Sequence, residues 1–247
     1  MTYYEHSGKF SIFGLISAVV IGSSLAAILG ALYAYLKLWI RLDIISIFGA
    51  IGFGAIVGYV TGKRLTRGNV RNSPVAVSAG AISGLVGVFV SWAVWLNARR
   101  LPADSASSFI WIFDAIVVVT PAIALVLAAV DHPFCESCGR WCETLRSAAM
   151  LSNSDATEFR RQVESHNFDF LARLGTKEPD ALAWIRLDVS TCTRCHVTNA
   201  ISAYRVKLRY KNGKRSEVTS RVLRWLIISP GEADALQRVA QRMRASA

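Results

Sequence analysis

Residues 131–143 read DHPFCESCGRWCE, and at this stretch the sequence changes character. Before it, charge is confined to short islands between long apolar runs; after it, charged residues are spread throughout. A chain of 247 residues that is 53% hydrophobic yet carries a formal charge of +11 reads as two unlike parts rather than one soluble domain. Residues 1–130 hold 9 basic and 4 acidic side chains, and residues 131–247 hold 19 and 13. The second part spans 117 residues, enough for one small domain but light for a self-sufficient core, so a metal or a partner would help it.

Within the opening stretch, Cys135 and Cys138 form a C-x2-C pair, followed by Gly139, which suits a turn with an unusual backbone angle. A second pair, Cys192 and Cys195, lies in CTRCH after 53 intervening residues. CTRCH alone admits three chemistries: a c-type haem tether with His196 on the iron, a redox dithiol, or half of a zinc site. Haem leaves Cys135 and Cys138 unused. A redox dithiol suits a domain outside the cytoplasm. Zinc uses all four thiols, each knuckle offering two from a tight turn. His196, Cys142 and His132 stand as possible substitute ligands, with Cys142 more simply a buried spare thiol. The cysteine pairs resemble the knuckles of zinc-ribbon and treble-clef modules, over the knuckles and their flanking strands only. That resemblance implies a structural Zn2+ site, with a wider gap between the pairs than compact ribbons have.

Working back from the stretch, four runs are long enough to cross the ~30 Å hydrocarbon core, which takes about 20 helical residues. They span about 10–36, 44–62, 75–96 and 109–130, and Asp114 is the one charged residue within them. The first run is longer than the apolar part of a signal peptide and reads as a retained helix. Gly14, Ala18, Gly22, Ala26, Gly30 and Ala34 recur every fourth position, as do Ala50, Gly54, Gly58 and Gly62, with Gly80 and Gly84 a shorter series. Such seams let helix backbones approach closely in lipid, inside one bundle or between copies in a homo-oligomer. Four steps overshoot one turn by about 40°, so the seam winds and cannot face one partner throughout.

Four spans place both termini on one side. Counting Lys9, Lys63, Arg64, Arg67, Arg71, Arg140 and Arg146 against Lys37, Arg41, Arg99 and Arg100 gives seven to four, which assigns both termini to the cytoplasm. Asp114 sits about 8 Å into the fourth run, where a hydrated or paired interfacial carboxylate is the plain reading and a polar transport site the sharper one. Pro121 is expected to kink that helix.

Working forward, residues 155–174 read as one helix capped by Ser154, with Phe159, Val163, Phe168 and Leu171 as its apolar stripe and Gly175 and Pro179 beyond its end. ALAWIRLDV reads as a strand into the second knuckle. From Tyr204 to Lys211 apolar and cationic residues alternate, which puts Arg205, Lys207, Arg209 and Lys211 on one face and the tyrosines on the other, taken as core. KNGK, with Lys214 and then Arg215, supplies a hairpin turn, and Pro230 opens a last helix. The cationic face is expected to meet solvent, or anionic headgroups and other phosphates. Nucleic acid is the less favoured partner because the tyrosines are read as buried.

No phosphate-binding loop, nucleophile elbow or zinc-protease motif occurs. The expected fold is a membrane four-helix bundle (1–130) plus a small cytoplasmic α+β zinc-binding domain (131–247) in the inner membrane. The expected role is non-enzymatic: a membrane-anchored adaptor, sensor or assembly factor, contacting the bilayer and another protein. A membrane thiol–disulfide oxidoreductase is the first alternative, and a small channel or transporter the second.

Overall fold

The computed structural model describes residues 2–39, 43–100, 108–152, 155–175, 177–178, 180–211 and 214–245. Arg41, Ser154, Pro179 and the Asn212–Gly213 turn lie outside the described residues. The chain forms two compact units, His6–His132 and Met1–Glu5 with Pro133–Ala247.

The first unit consists of four helices: α1 (Ile12–Trp39), α2 (Asp43–Arg67), α3 (Ser73–Arg99) and α4 (Ser108–Val130). All four are long and apolar enough to cross a membrane. Each covers its apolar run, and α2 continues through Lys63–Arg67 because polar residues do not end a helix without a stop signal. That stop comes at Gly68-Asn69: Asn69 takes φ 53°, and Val70 and Asn69 donate back to Leu65 O and Thr66 O. This pair of bonds is a Schellman close. Asn72 then caps α3 by accepting from Val75 N–H at 3.0 Å, with Pro74 in the first turn.

The small-residue seams are used inside this bundle. A Cβ on Gly14 would come within 2.5 Å of Gly68 O, one on Gly22 within 2.3 Å of Thr61 Oγ1 and 2.7 Å of Ser83 Oγ, and one on Gly30 within 2.3 Å of Gly87 O. Along α1 the seam therefore passes from the end of α2 to α3, as its winding requires. On α2, Gly54 and Gly58 meet Val118 O and Ala122 O of α4 at 2.1 and 2.4 Å in the same sense. Glycine permits these close approaches, to backbone at Gly14, Gly30, Gly54 and Gly58 and to hydroxyl side chains at Gly22. The faces left outside carry large apolar side chains, Phe13 at 86%, Phe48 at 70% and Phe89 at 71% exposure.

The second unit is α+β. A short hairpin, β1 (Phe134–Cys135) with β2 (Arg140–Trp141), leads into β3 (Glu143–Ser152), α5 (Ala156–Glu164), α6 (Asp169–Leu174), β4 (Ala183–Thr191), β5 (Asn199–Lys211), β6 (Lys214–Ile228) and α7 (Pro230–Ala245). Strands β3-β4-β5-β6 form one antiparallel sheet in chain order. The start of the chain adds to its edge: Tyr3 bridges to Leu226, and Tyr4 N–H donates to Trp225 O at 2.8 Å. The core joins Leu151, Ile185, Leu187, Ile201 and Leu226 of the sheet to Phe159, Val163 and Leu171 of α5 and α6 and to Ala233 and Leu236 of α7.

Three expectations need correction. The helix foreseen over 155–174 is two helices, because His166 takes φ 58° and His166 and Asn167 donate to Val163 O and Gln162 O, closing α5. Its N-cap is Asp155, which accepts from Thr157 and Glu158 N–H at 2.8 and 3.0 Å. The third concerns the faces of β5. Register with β4 is unbroken from Ala183↔Lys207 to Thr191↔Asn199, so Arg205, Lys207 and Arg209 continue the face of Ile201 and Ala203, which the helices cover. The apolar phase of β5 changes at Tyr204, and the tyrosines are not core. Tyr210 is 64% exposed, and Tyr204 is half-buried beneath the guanidinium groups of Arg186 and Arg221, 4.7 and 5.9 Å from its ring.

Candidate metal centre

The pairing of β3 with β4 explains how knuckles so far apart in sequence meet. Glu143 lies opposite Thr191, so the next antiparallel row brings Cys142 beside Cys192 at one end of the sheet. The first knuckle is then folded back by β1 and β2, where Cys135 pairs with Arg140 and Phe134 with Trp141. The Phe134 and Trp141 rings meet edge-on at 5.2 Å, and Cys142 N–H donates to Pro133 O at 2.8 Å. The second knuckle bridges β4 and β5, closed by Cys192 N–H to Thr198 O at 3.0 Å.

The two knuckles share one backbone design. In the first, Gly139 takes φ 63° and donates its N–H to Cys135 O at 2.9 Å; in the second, His196 takes φ 54° and donates to Cys192 O at 2.9 Å. His196 thus occupies a left-handed turn position, which histidine enters more readily than most residues. Its carbonyl accepts from the buried Asn199 amide at 2.7 Å.

The Sγ atoms of Cys135, Cys138, Cys192 and Cys195 all lie within 4.8 Å of one another. Cys135 and Cys195 sulfurs are 3.4 Å apart, and Cys192 and Cys195 3.6 Å. Four thiolates at ~2.3 Å from one tetrahedral ion would be about 3.8 Å from each other. The donor set therefore fits a metal ion, and all its cysteines are free thiols. Cys135 and Cys192 are buried, and Cys138 and Cys195 half-buried.

Electrostatics at the cluster are uneven. Burial opposes a charge on Cys192, but the backbone N–H groups of Cys195 and Arg194 and the thiols of Cys195 and Cys135 outweigh it and bring Cys192 down to about 6. Its own bond to Cys195, and burial, push Cys138 up to about 12.

No family model, curated protein or solved structure matches this chain.

Of the substitute ligands, none joins the four-thiol group among the described residues. Cys142 is buried beside it, with its Sγ directed at Thr198 O at 3.9 Å, and burial first and then the neighbouring thiolates push it up to about 12. His132 falls in the helical unit. Of the basic residues expected to contact headgroups or phosphates, Arg205 is half-buried, whereas Lys207, Arg209, Lys214 and Arg215 are exposed; Lys211 ends β5 opposite Lys214.

Asp114, in the helical unit, pairs with Lys37 of α1. The Lys37 ammonium also lies over the rings of Tyr33 and Trp92, at 5.1 and 5.3 Å, and Trp92 stacks on Trp111 at 4.5 Å. Sequence gave Asp114 as paired or hydrated without its partner, because the pair joins residues 77 positions apart.

Proposed function

We propose that this chain is a four-span inner-membrane protein whose cytoplasmic α+β domain is held together by a structural Zn2+ ion. It acts there as a membrane-anchored adaptor, sensor or assembly factor. The observation that carries this reading is the convergence of four thiols from two knuckles at tetrahedral spacing. A tetrahedral thiolate set takes zinc or iron. Among the described residues the set is closed, with no side chain of another kind within it, as in structural zinc sites. Likeness to zinc-ribbon and treble-clef knuckles points the same way. The metal would supply folding free energy to a small domain, while the residues themselves orient the thiols through the two left-handed turns.

Membrane insertion is supported by the four apolar helices and by their large exposed apolar side chains, Phe13, Phe48 and Phe89 among them. The excess of basic residues on the side of the termini supports the cytoplasmic orientation, where a reducing environment keeps thiolates available to a metal. A second protein and anionic headgroups are the partners this role implies. Self-association would use the exposed apolar faces, since the glycine seams are filled within the bundle.

A second reading, thiol–disulfide exchange, draws on the lowered Cys192, since a depressed thiol is what such chemistry needs. The two readings separate by a C-terminal topology reporter combined with acid-trapping of thiols in intact cells. Free cysteines and a cytoplasmic reporter support the zinc domain; a periplasmic reporter with Cys192 disulfide-bonded supports the oxidoreductase.

A further inference from the structure

Strands β5 and β6 run on past the sheet. Ala183, the first residue of β4, pairs with Lys207. Beyond that row Leu208 N–H still donates to Leu182 O at 2.8 Å, and β5 and β6 then pair with each other down to Lys211 opposite Lys214. The result is a two-stranded ribbon extending about 14 Å past the last three-stranded row, at ~3.4 Å per residue. Residues Lys214 to Arg221 are all exposed, and so are Tyr210 and Val218. Apart from the half-buried Leu208, a ribbon this exposed gains little from packing, so its side chains answer to something other than the core.

Its charge is one-signed. Between Arg205 and Arg224 there are eight basic residues and one acid, Glu217. Among the described residues no ion pair involves Lys207, Arg209, Lys214 or Arg215. The cations occupy both faces. Lys207 and Arg209, with Lys214 in the same register set, lie on the face the helices cover further up the sheet; Arg215, opposite Tyr210, and Arg221, opposite Tyr204, lie on the other.

This distribution discriminates between anionic partners. A flat bilayer meets one face of a ribbon. On the Lys207–Arg209 face it would first meet the helix layer, since Arg205 lies at the foot of α5 beside Asp155. The Asp155 carboxyl is held low chiefly by Glu158 and Thr157 N–H and in smaller part by Arg205. A grooved polyanion can take the ribbon between its walls and present phosphates to both faces. The major groove of B-form DNA is ~12 Å wide and admits a two-stranded β-ribbon, whereas that of A-form RNA is deep and narrow. Of the aromatic residues here Tyr210 is exposed, Tyr204 half-buried and Trp225 buried, a set unsuited to stacking on single strands but no bar to phosphate contacts on a duplex.

The geometry points to double-stranded DNA as the partner of the β5–β6 ribbon, with Lys207, Arg209, Lys214 and Arg215 on its phosphates. In the cell this rests on the cytoplasmic reading above, which places the domain where DNA is.

The test uses the full chain in nanodiscs of zwitterionic lipid and a labelled short DNA duplex, followed by anisotropy from about 50 to 200 mM salt. Four phosphate contacts predict a slope of log K on log salt of about −3.6. Lys207→Ala with Arg209→Ala should weaken binding at least tenfold at low salt and reduce the slope by about 2. Both side chains are exposed, so the variant should keep its fold, checked by metal content and thermal unfolding. Equal binding by wild type and variant, preference for an RNA duplex of the same sequence, or binding only to anionic vesicles would overturn the inference. Because this assay does not depend on topology, absence of DNA binding by the wild-type chain with its metal content intact refutes the ribbon's role and leaves the zinc-domain reading standing.

Discussion

Gly139 and His196 are structural counterparts: each follows the second cysteine of a knuckle, each is left-handed, and each bonds back to the first cysteine of its pair at 2.9 Å. The histidine of CTRCH is thus placed by backbone geometry, with no need for an iron or zinc to explain it.

His196→Gly should therefore keep full metal content and gain up to about 1 kcal/mol, because a left-handed non-glycine residue costs about 1–2 kcal/mol. His196→Val, branched at Cβ, should lose stability by at least as much. Chelator-challenge rates and thermal unfolding of the two variants check this. Loss of metal in His196→Gly would mean that the ring is a ligand.

Gly58→Ala places a methyl 2.4 Å from Ala122 O, against backbone that cannot swing aside, so α2 and α4 must separate. Gly52→Ala meets nothing within 4 Å and improves helix propensity. In detergent the first substitution should lower the unfolding temperature by several degrees and the second should leave it level or raise it. Equal effects would mean that the two helices do not pack as described.

Asp114→Asn strands the Lys37 ammonium among Tyr33 and Trp92, and Lys37→Met strands the carboxylate. Each single change should cost about 3 kcal/mol, while Lys37→Met with Asp114→Leu should cost much less than their sum. A double-mutant cycle on unfolding in mixed detergent measures the coupling. Additive costs would dissolve the pair.

Ser229 and Glu232 form a capping box at the start of α7: Ser229 N–H donates to Glu232 Oε2 at 2.7 Å, and Glu232 N–H to Ser229 Oγ at 3.3 Å. Burial works against the Glu232 charge, but Ser229 and the His166 ring outweigh it and hold the carboxyl below the usual range. The ionised group then favours the folded state above the ordinary value of ~4.3, and that contribution fades as pH falls through the lower folded value. Wild type should exceed Glu232→Gln in stability near neutral pH, with the gap closing in acid. A gap independent of pH would contradict this.

Much of the architecture was legible because it rests on composition and spacing. Runs of apolar residues specify the four helices whatever their partners, and two C-x2-C pairs specify knuckles. What the sequence hid depends on backbone irregularity. β3 carries no clean alternation because Ser147, at φ 53°, bulges the strand between Leu145 and Ala149, and Asp188 on β4 accepts its N–H at 2.8 Å. Strand β5 alternates faithfully, yet its apolar phase switches at Tyr204, so period alone groups the cations on one face without showing that this face continues the one the helices cover. The break at His166 and the turn at His196 both use a residue that sequence reading takes for a ligand or a helical position before it takes it for a left-handed turn.

Elemental analysis of gently purified full-length protein, paired with intact mass under native conditions, tests the central claim most directly. One zinc ion per chain, lost together with the fold of the α+β unit in Cys135→Ser and in Cys192→Ser, is the predicted result. A metal-free chain that is nonetheless folded, or one in which Cys192 is bonded to Cys195, would contradict it.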